Sequence, residues 1–451
     1  MKVSRYTFFF KDNDECYIYN SLSNALIKID EESYQSLEEA DKGKAGIDND
    51  AYDDELLKVL AERNFITDND DDDYLKLKSI IMAQRGQHGS MHLTLAPTMD
   101  CCFRCHYCFE KYKTKTYMTT DVMDAIIAHV KCHQDLKSIK ITWFGGEPLM
   151  ALPQIEQFYD KFKPVWGDRP YDSNVITTGY HIDKEAVRVL DKVGVKSVQI
   201  TLDGGRETHN RVKHFAGSGD TFGRVLDNVQ LYNDLSPDVN IVFRVNLTMD
   251  NADEYEPLQE MILSRFSGRK MIAIAPAFVM DRSLNGCKSK AALFSRRQCS
   301  EYILKLARKG IDSTFIRYPS PFFYECAIRN NVAISFDPEG YAYKCWELIG
   351  NKEFAIGRLD ADGHIADINT KMLNRQLYGA DPFEDPACME CKYLPICNGG
   401  CPINRIENKF DGGHNNCCTL HKGYMAEFLR EHLRRERAGV NNKMYNKPNA
   451  E

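Results

Sequence analysis

The sequence predicts an α/β protein: a central run of alternating strands and helices, preceded by a small α+β region and followed by a cysteine-rich third. Between Ser90 and about Pro276, six apolar runs alternate with helical stretches, the pattern of parallel βαβ units in a sheet that either opens or closes into a barrel. Upstream, short aromatic runs are parted by turn residues. Downstream, thiols crowd at spacings that no packing rule would produce.

Thr7 to Phe10, Cys16 to Tyr19 and Ala25 to Ile29 read as a meander of strands. Glu31 to Glu39 and Asp53 to Arg63 read as helices, the second with Leu56, Leu57, Val59 and Leu60 on its apolar face. The acidic run at 68–74 reads as a solvated linker, because like charges repel. The central strands are expected at His92–Leu95, Ile139–Phe144, Asn174–Thr177, Ser197–Leu202, Asn240–Thr248 and Met271–Ile274. Helices lie between them, from Thr120–His133 through Asp253–Ser264. These runs divide the chain into 1–85, 86–300, 301–429 and a basic helix end with a polar tail at 430–451, the basic residues Arg430 to Arg437 lying on a solvated face.

A net charge of -7 over 451 residues carries no nucleic-acid signature, and no apolar run approaches the roughly 20 residues that span a bilayer. With no secretory segment evident in residues 1–10, a cytoplasmic protein without membrane or nucleic-acid partners is expected. Its 16 cysteines then read as metal ligands and buried thiols instead of disulfides.

Cys101, Cys105 and Cys108 form a CxxxCxxC triplet directly after the first central strand. Three thiolates hold three irons of a 4Fe-4S cube and leave the fourth open to a chelating ligand, whereas structural zinc needs a fourth protein ligand. Three further strand ends carry small polar residues: Gly145-Gly146-Glu147-Pro148, Thr177-Thr178-Gly179 and Thr201-Leu202-Asp203-Gly204. Reactive groups of parallel barrels sit at this edge, so together they outline a ligand pocket.

The triplet with its flanks (residues 96–110), the glycine-rich motif (143–148), the stretch 201–210 and Arg244-Val245-Asn246 occur in the order that resembles the core of radical S-adenosylmethionine (SAM) enzymes, over roughly residues 90–280. The resemblance implies a partial (β/α)6 TIM-like barrel. In it, Cys101, Cys105 and Cys108 bind the cube and SAM chelates its open iron. It places the SAM amino group at the strand bearing Gly145, Gly146, Glu147 and Pro148, with Thr178 on the next strand end. Thr201, Asp203 and Asn246 fall near the ribose or methionyl portion and Tyr107 near adenine. Two departures stand out: Thr178 occupies a place where relatives often carry asparagine, and Lys213 stands near where an arginine commonly meets the methionyl carboxylate. Lysine offers a point charge, not a fork.

In the last third, Cys326, Gly340 and Cys345 precede Cys388, Cys391, Cys397 and Cys401 in a CxxCxxxxxCxxxC pattern, followed by Cys417 and Cys418. Zinc and iron-sulfur readings are both open on spacing alone. The full pattern resembles the SPASM extension of radical SAM enzymes, which implies two auxiliary 4Fe-4S clusters. Cys388, Cys391, Cys397 and one of Cys417 or Cys418 hold the outer one; Cys326, Cys345 and Cys401 hold the inner one. The inner set is one ligand short. The spare thiol of the 417/418 pair, Cys299 or Cys287 completes it, or the open iron takes a substrate thiolate. Cys16 and Cys132 read as small hydrophobes, and Cys102 lies outside the triplet's spacing.

The N-terminal region resembles the winged-helix-like recognition elements of ribosomal-peptide maturases, where a strand edge accepts a leader peptide. The expected activity is reductive cleavage of SAM and hydrogen abstraction from a precursor peptide, forming a thioether or carbon-carbon crosslink, with a flavodoxin- or ferredoxin-type electron donor. The rival is sulfatase maturation. Those enzymes typically place aspartate directly after the cysteine matching Cys345, where this chain has Trp346 and then Glu347. A non-catalytic iron-sulfur or zinc protein explains the thiols but not the strand-end pocket.

Overall fold

The computed structural model describes residues 1–43, 47, 52–110, 113–214, 219–269, 271–280, 292–311 and 318–439. Its N-terminal part contains β1 (Lys2–Val3), β2 (Thr7–Asp12), β3 (Glu15–Asn20), β4 (Leu26–Ile29), α1 (Glu31–Asp41), α2 (Asp54–Glu62), β5 (Ile66–Thr67) and α3 (Asp70–Arg85). Strands β2, β3 and β4 form an antiparallel sheet, and β1 pairs with β5. Asn13 and Asp14 take positive φ (49° and 62°) between β2 and β3, as a two-residue hairpin requires. Asp30 and Asp53 cap α1 and α2 by accepting from the Ser33 and Leu56 amides.

The acidic run expected as a loose linker is the first turn of α3. Asn69 caps it by accepting from the Asp71 amide. Negative charge at a helix N-terminus is favourable, which outweighs repulsion among the carboxylates. Asp73 is buried and accepts from the Ser4 hydroxyl.

The central part runs β6 (Ser90–Leu95), α4 (Thr120–Cys132), β7 (Ser138–Trp143), α5 (Leu152–Trp166), β8 (Tyr171–Thr177), α6 (Lys184–Lys192), β9 (Val195–Leu202), α7 (Arg206–Val212), α8 (Thr221–Leu235), β10 (Asn240–Leu247), α9 (Tyr255–Arg265), β11 (Ile272–Phe278) and α10 (Arg296–Arg308). Strands β6 to β11 are parallel and adjacent in sequence order, as alternating strands and helices predict. On β9 and β10 the residues Val198, Ile200, Phe243 and Val245 are fully buried toward the helices, each contributing roughly 1.5–3 kcal/mol. The alternate residues Gln199, Thr201, Arg244 and Asn246 face a cavity on the other side.

The sheet does not end at β6. The C-terminal part supplies β12 (Ala333–Phe336), which pairs in parallel with β6 from Ala333↔His92 to Phe336↔Leu95. Strands β13 (Tyr341–Tyr343), β14 (Gly357–Leu359) and β15 (Ile365–Ala366) extend it in antiparallel order. Helices α11 (Thr370–Leu377), α12 (Pro386–Met389), α13 (Leu394–Cys397), α14 (Pro402–Phe410) and α15 (Met425–Arg437) complete the described chain.

The basic stretch in α15 is not simply solvated. Phe428, Leu429 and Leu433 are buried, and Leu429 and Leu433 pack with Phe8 and Phe10 of β2. Arg430 donates to the Lys11 carbonyl and Arg437 pairs with Asp12 at 2.6 Å. The side chains cover one edge of the N-terminal sheet.

Buried His129 and His209 make the fold acid-sensitive. Burial lowers the pKa of each to about 4 from an ordinary value near 6.5. Above pH 6.5 both states are neutral and nothing is lost. As pH falls toward 4 only the unfolded chain binds protons, so each histidine withdraws about 3 kcal/mol of stability across that window. The denaturant midpoint is expected to drop between pH 6.5 and 4, and less so in His129→Gln.

Candidate active site

The chain leaves β6 at Leu95 and folds a loop across the carboxyl ends of the strands. Thr98 anchors it, donating to the Thr116 carbonyl at 2.8 Å and accepting from the Asp100 amide at 3.0 Å. The Cys108 amide donates to the Cys105 carbonyl at 3.1 Å. Cys101, Cys105 and Cys108 thereby line one cavity of about 280 Å³, with Tyr107, Gly145, Gly146, Thr178, Thr201, Lys213 and Asn246 also on its wall.

The two glycines after β7 serve the loop as well as the cavity. Gly145 has φ +104°, and a Cβ there would lie 2.5 Å from the Thr98 carbonyl; a Cβ on Gly146 would lie 2.0 Å from the Asp100 carbonyl. In the space so left, the Gly146 and Glu147 amides donate to the Thr98 and Asp100 carbonyls at 3.2 and 2.7 Å. The glycine motif therefore clamps the cysteine loop to β7.

Glu147 is completely buried and does not line the cavity. Its carboxylate accepts from the Thr177 hydroxyl (2.6 Å), from the Thr178 hydroxyl and amide (2.6 and 2.8 Å) and from the Leu149 amide. Pro148 opens the following turn and is buried too. These two hold β7 against β8, while Gly145, Gly146 and Thr178 present the surface.

Asp203 is the hub of the next wall. The Tyr107 hydroxyl and Asn246 amide donate to one of its oxygens, and Lys213 Nζ lies 3.4 Å from the other. Lys213 also reaches the Cys105 sulfur at 3.8 Å. Burial alone would lower the Lys213 pKa, but Asp203 and Cys105 together raise it well above the ordinary value. Burial raises the Cys105 and Cys108 thiols, and the Lys113 and Lys213 cations oppose that. A second cavity of about 330 Å³ adjoins at Tyr107, Asp203, Asn246 and Val279.

Sequence reasoning missed the far wall. Phe109, Phe144 and Trp346 form a row of near-parallel rings, with centroids 6.2 and 5.8 Å apart. Gln199 and Arg244 share the cavity with them. Strand parity held the signal for these two, since each lies two residues before Thr201 or Asn246 on the same face. Trp346 and Glu347 both line the cavity. The carboxylate one place further along is thus present in it.

The distal thiols fall into two neighbourhoods. Cys326, Cys345 and Cys401 influence one another electrostatically, and Glu347 raises the Cys345 thiol beyond the effect of burial. Cys397 feels Cys418, Cys388 and Cys391, while Lys422 reaches the Cys418 sulfur at 3.4 Å. The Cys417 sulfur lies between the two neighbourhoods, 3.8 Å from the Asn408 amide nitrogen and feeling Cys401, Cys418 and Cys397. Cys299 is buried on α10 among Ile303, Leu304, Leu420 and Phe428, a packing position. Cys287 lies outside the described residues. Cys132 is exposed, not the small buried hydrophobe its helix pattern suggests, because it ends α4.

Among the described residues no three histidine, cysteine or carboxylate side chains converge as a mononuclear metal site requires. The three thiols of the loop instead share the rim of a cavity with two lysines nearby, a donor set that suits an anionic polynuclear cluster.

The family model for the Radical SAM superfamily matches residues 95–262. Residues 95–262 form a radical SAM domain. The chain is 20% identical to a serine-type anaerobic sulfatase-maturating enzyme of Bacteroides thetaiotaomicron, over 76% of this chain and 91% of that one. It is 20% identical to the radical SAM cyclopropyl synthase TigE of Paramaledivibacter caminithermalis, over 89% of each. Among solved structures, anSMEcpe with bound AdoMet and Cp18Cys peptide superposes with TM-score 0.56 at 17% identity, covering 78% of this chain and 99% of that one. Streptococcus suis SuiB bound to S-adenosylmethionine gives TM-score 0.51 at 15% identity, covering 92% of this chain and all of the other. With that domain, and with relatives named as maturases and synthases, the protein is an enzyme that modifies a substrate. It joins the domain to a cysteine-rich C-terminal region, and no helix among the described residues is long and apolar enough to cross a membrane.

Proposed function

We propose that this radical SAM enzyme is a peptide maturase that removes hydrogen from a precursor peptide and closes a thioether or carbon-carbon crosslink. The observation that carries this is the cavity itself. One side is the cysteine triplet and polar strand ends; the other is an aromatic row ending in Trp346, 40% exposed, which offers a peptide an open apolar wall. The likeness to TigE and SuiB spans about nine-tenths of the chain, and SuiB has been solved with its precursor peptide SuiA.

In this reading Cys101, Cys105 and Cys108 hold a 4Fe-4S cube, and Gly145, Gly146, Thr178, Thr201 and Asn246 face SAM. When bound, that pair supplies one-electron cleavage of SAM to a 5'-deoxyadenosyl radical, which takes a hydrogen atom from substrate. Asp203 fixes the Tyr107 hydroxyl and the Asn246 amide, while Lys213 balances charge between Asp203 and Cys105. Phe109, Phe144 and Trp346 exclude water. Cys388, Cys391, Cys397 and Cys418 hold an outer auxiliary cluster; Cys326, Cys345 and Cys401 hold an inner one, whose fourth ligand is Cys417 or a substrate thiolate. A flavodoxin- or ferredoxin-type protein delivers the electron, and the three-stranded N-terminal sheet receives the leader.

Glu347 favours a second reading. A carboxylate in the cavity beside Cys345 is placed to accept a proton, as formylglycine formation requires, and sulfatase-maturating enzymes are among the relatives. The test is anaerobic reconstitution, reduction with SAM, and incubation with candidate peptides encoded nearby. A product two hydrogens lighter and inert to hydrazides supports the crosslink; a hydrazide-reactive aldehyde selects formylglycine. Absence of 5'-deoxyadenosine in every condition rejects both.

A further inference from the structure

The two distal cysteine neighbourhoods differ in the charge that touches their sulfurs. Arg405 donates from Nη1 to the Cys388 sulfur at 3.3 Å. It is held there by its other nitrogens, which donate to Asp385 at 2.7 Å and to the Ala380 carbonyl at 2.9 Å. Lys422 donates to the Cys418 sulfur at 3.4 Å. The outer set therefore receives two cationic N–H···S bonds, and Arg405, Lys422 and Asp385 leave one net positive charge beside it.

Around Cys326, Cys345 and Cys401 the charges balance. Arg85 pairs with Glu325 at 2.5 Å and with Asp381, and Glu325 also accepts from the Cys326 amide. Arg329 and Lys344 add two cations, yet Arg329 donates to the Ala380 carbonyl and Lys344 Nζ to the Asn330 carbonyl. Glu347 stands beside Cys345. The Ile328 and Glu347 backbone amides reach the Cys326 and Cys345 sulfurs, but among the described residues no cationic side chain donates to any of these three.

Reducing an iron-sulfur cluster adds negative charge, which net positive charge and hydrogen bonds to sulfur stabilise. We infer that the outer auxiliary centre is the more easily reduced of the two, with Arg405 and Lys422 as the positioning residues that make it so. With both clusters in place, an electron shared between them would rest on the outer one. The inference rests on the reading that both sets hold 4Fe-4S clusters, and the experiment separates the two claims.

Full-length protein is reconstituted anaerobically, its iron counted, and its clusters titrated by potential with electron paramagnetic resonance as the readout. About twelve irons per chain are expected for three cubes; about four would remove both auxiliary centres and with them the inference. With twelve present, the higher-potential auxiliary signal is expected to disappear in Cys391→Ser and to move to lower potential in Arg405→Met and Lys422→Met, singly and together. Arg405→Lys restores part of the shift, and the other auxiliary signal stays in place. Lys422 is exposed, so its variant keeps the test alive if Arg405→Met fails to assemble. Loss of the lower-potential signal in Cys391→Ser, or an unmoved titration in the double variant at full iron content, overturns the proposal.

Discussion

Replacing Cys101, Cys105 and Cys108 together by alanine is expected to abolish 5'-deoxyadenosine formation while leaving most of the iron-sulfur absorbance. The three thiols share one cavity and the distal thiols lie elsewhere, so the loss is local. Iron content should fall by about four per chain, the complement of one cube. Since a cluster ligand cannot be partly present, the expected effect on cleavage is total. Residual 5'-deoxyadenosine in the triple variant would falsify the assignment of this loop as the SAM-cleaving site.

Gly146→Ala is expected to be nearly as damaging without touching a thiol. The new Cβ would stand 2.0 Å from the Asp100 carbonyl, and the obstacle is backbone, which cannot swing aside as a flexible side chain does. Overpacking of this kind costs about 1–3 kcal/mol. The loop yields before the buried strand does, and Asp100 directly precedes Cys101. A displacement near 1 Å at a reacting centre costs about a hundredfold in rate. SAM cleavage should drop by about that factor in a protein that still folds. Gly89→Ala, which like Gly146 is not at a positive φ but has nothing within 4 Å, is the matched control for the substitution without the clash.

Much of this arrangement was legible in the chain. All six central strands fall where apolar runs alternate with helical patterns, because a strand buried by helices must be apolar along its outer face. The polar strand ends were legible through their small residues and glycines. What escaped had physical reasons. Strand β12 is a four-residue run, Ala333 to Phe336, whose partner β6 lies far back in sequence, and pairing over such a separation leaves no local mark. The start of α3 was hidden by its charge, which repels along a free chain but suits a helix N-terminus. Glu147 looked like a ligand contact because its neighbours are glycines, and only the packed structure reveals the two threonines that occupy its oxygens. The sulfurs of Cys417 and Cys418 lie beside different side chains, Asn408 and Lys422, a difference that spacing does not reveal.

The pairing of β12 with β6 changes what the border between the central and C-terminal regions is. Cys326 lies upstream of β12 and Cys345 follows β13, while the loop with Cys101 follows β6. Backbone hydrogen bonds join these strands at the roughly 4.8 Å spacing of a sheet. The span between the cysteine triplet and the inner thiols is therefore measured out by sheet pitch, like marks on a ruler, and not by a tether. Opening for a substrate must come from side chains and loops around the cavity, because swinging the C-terminal region outward would tear a sheet shared by both.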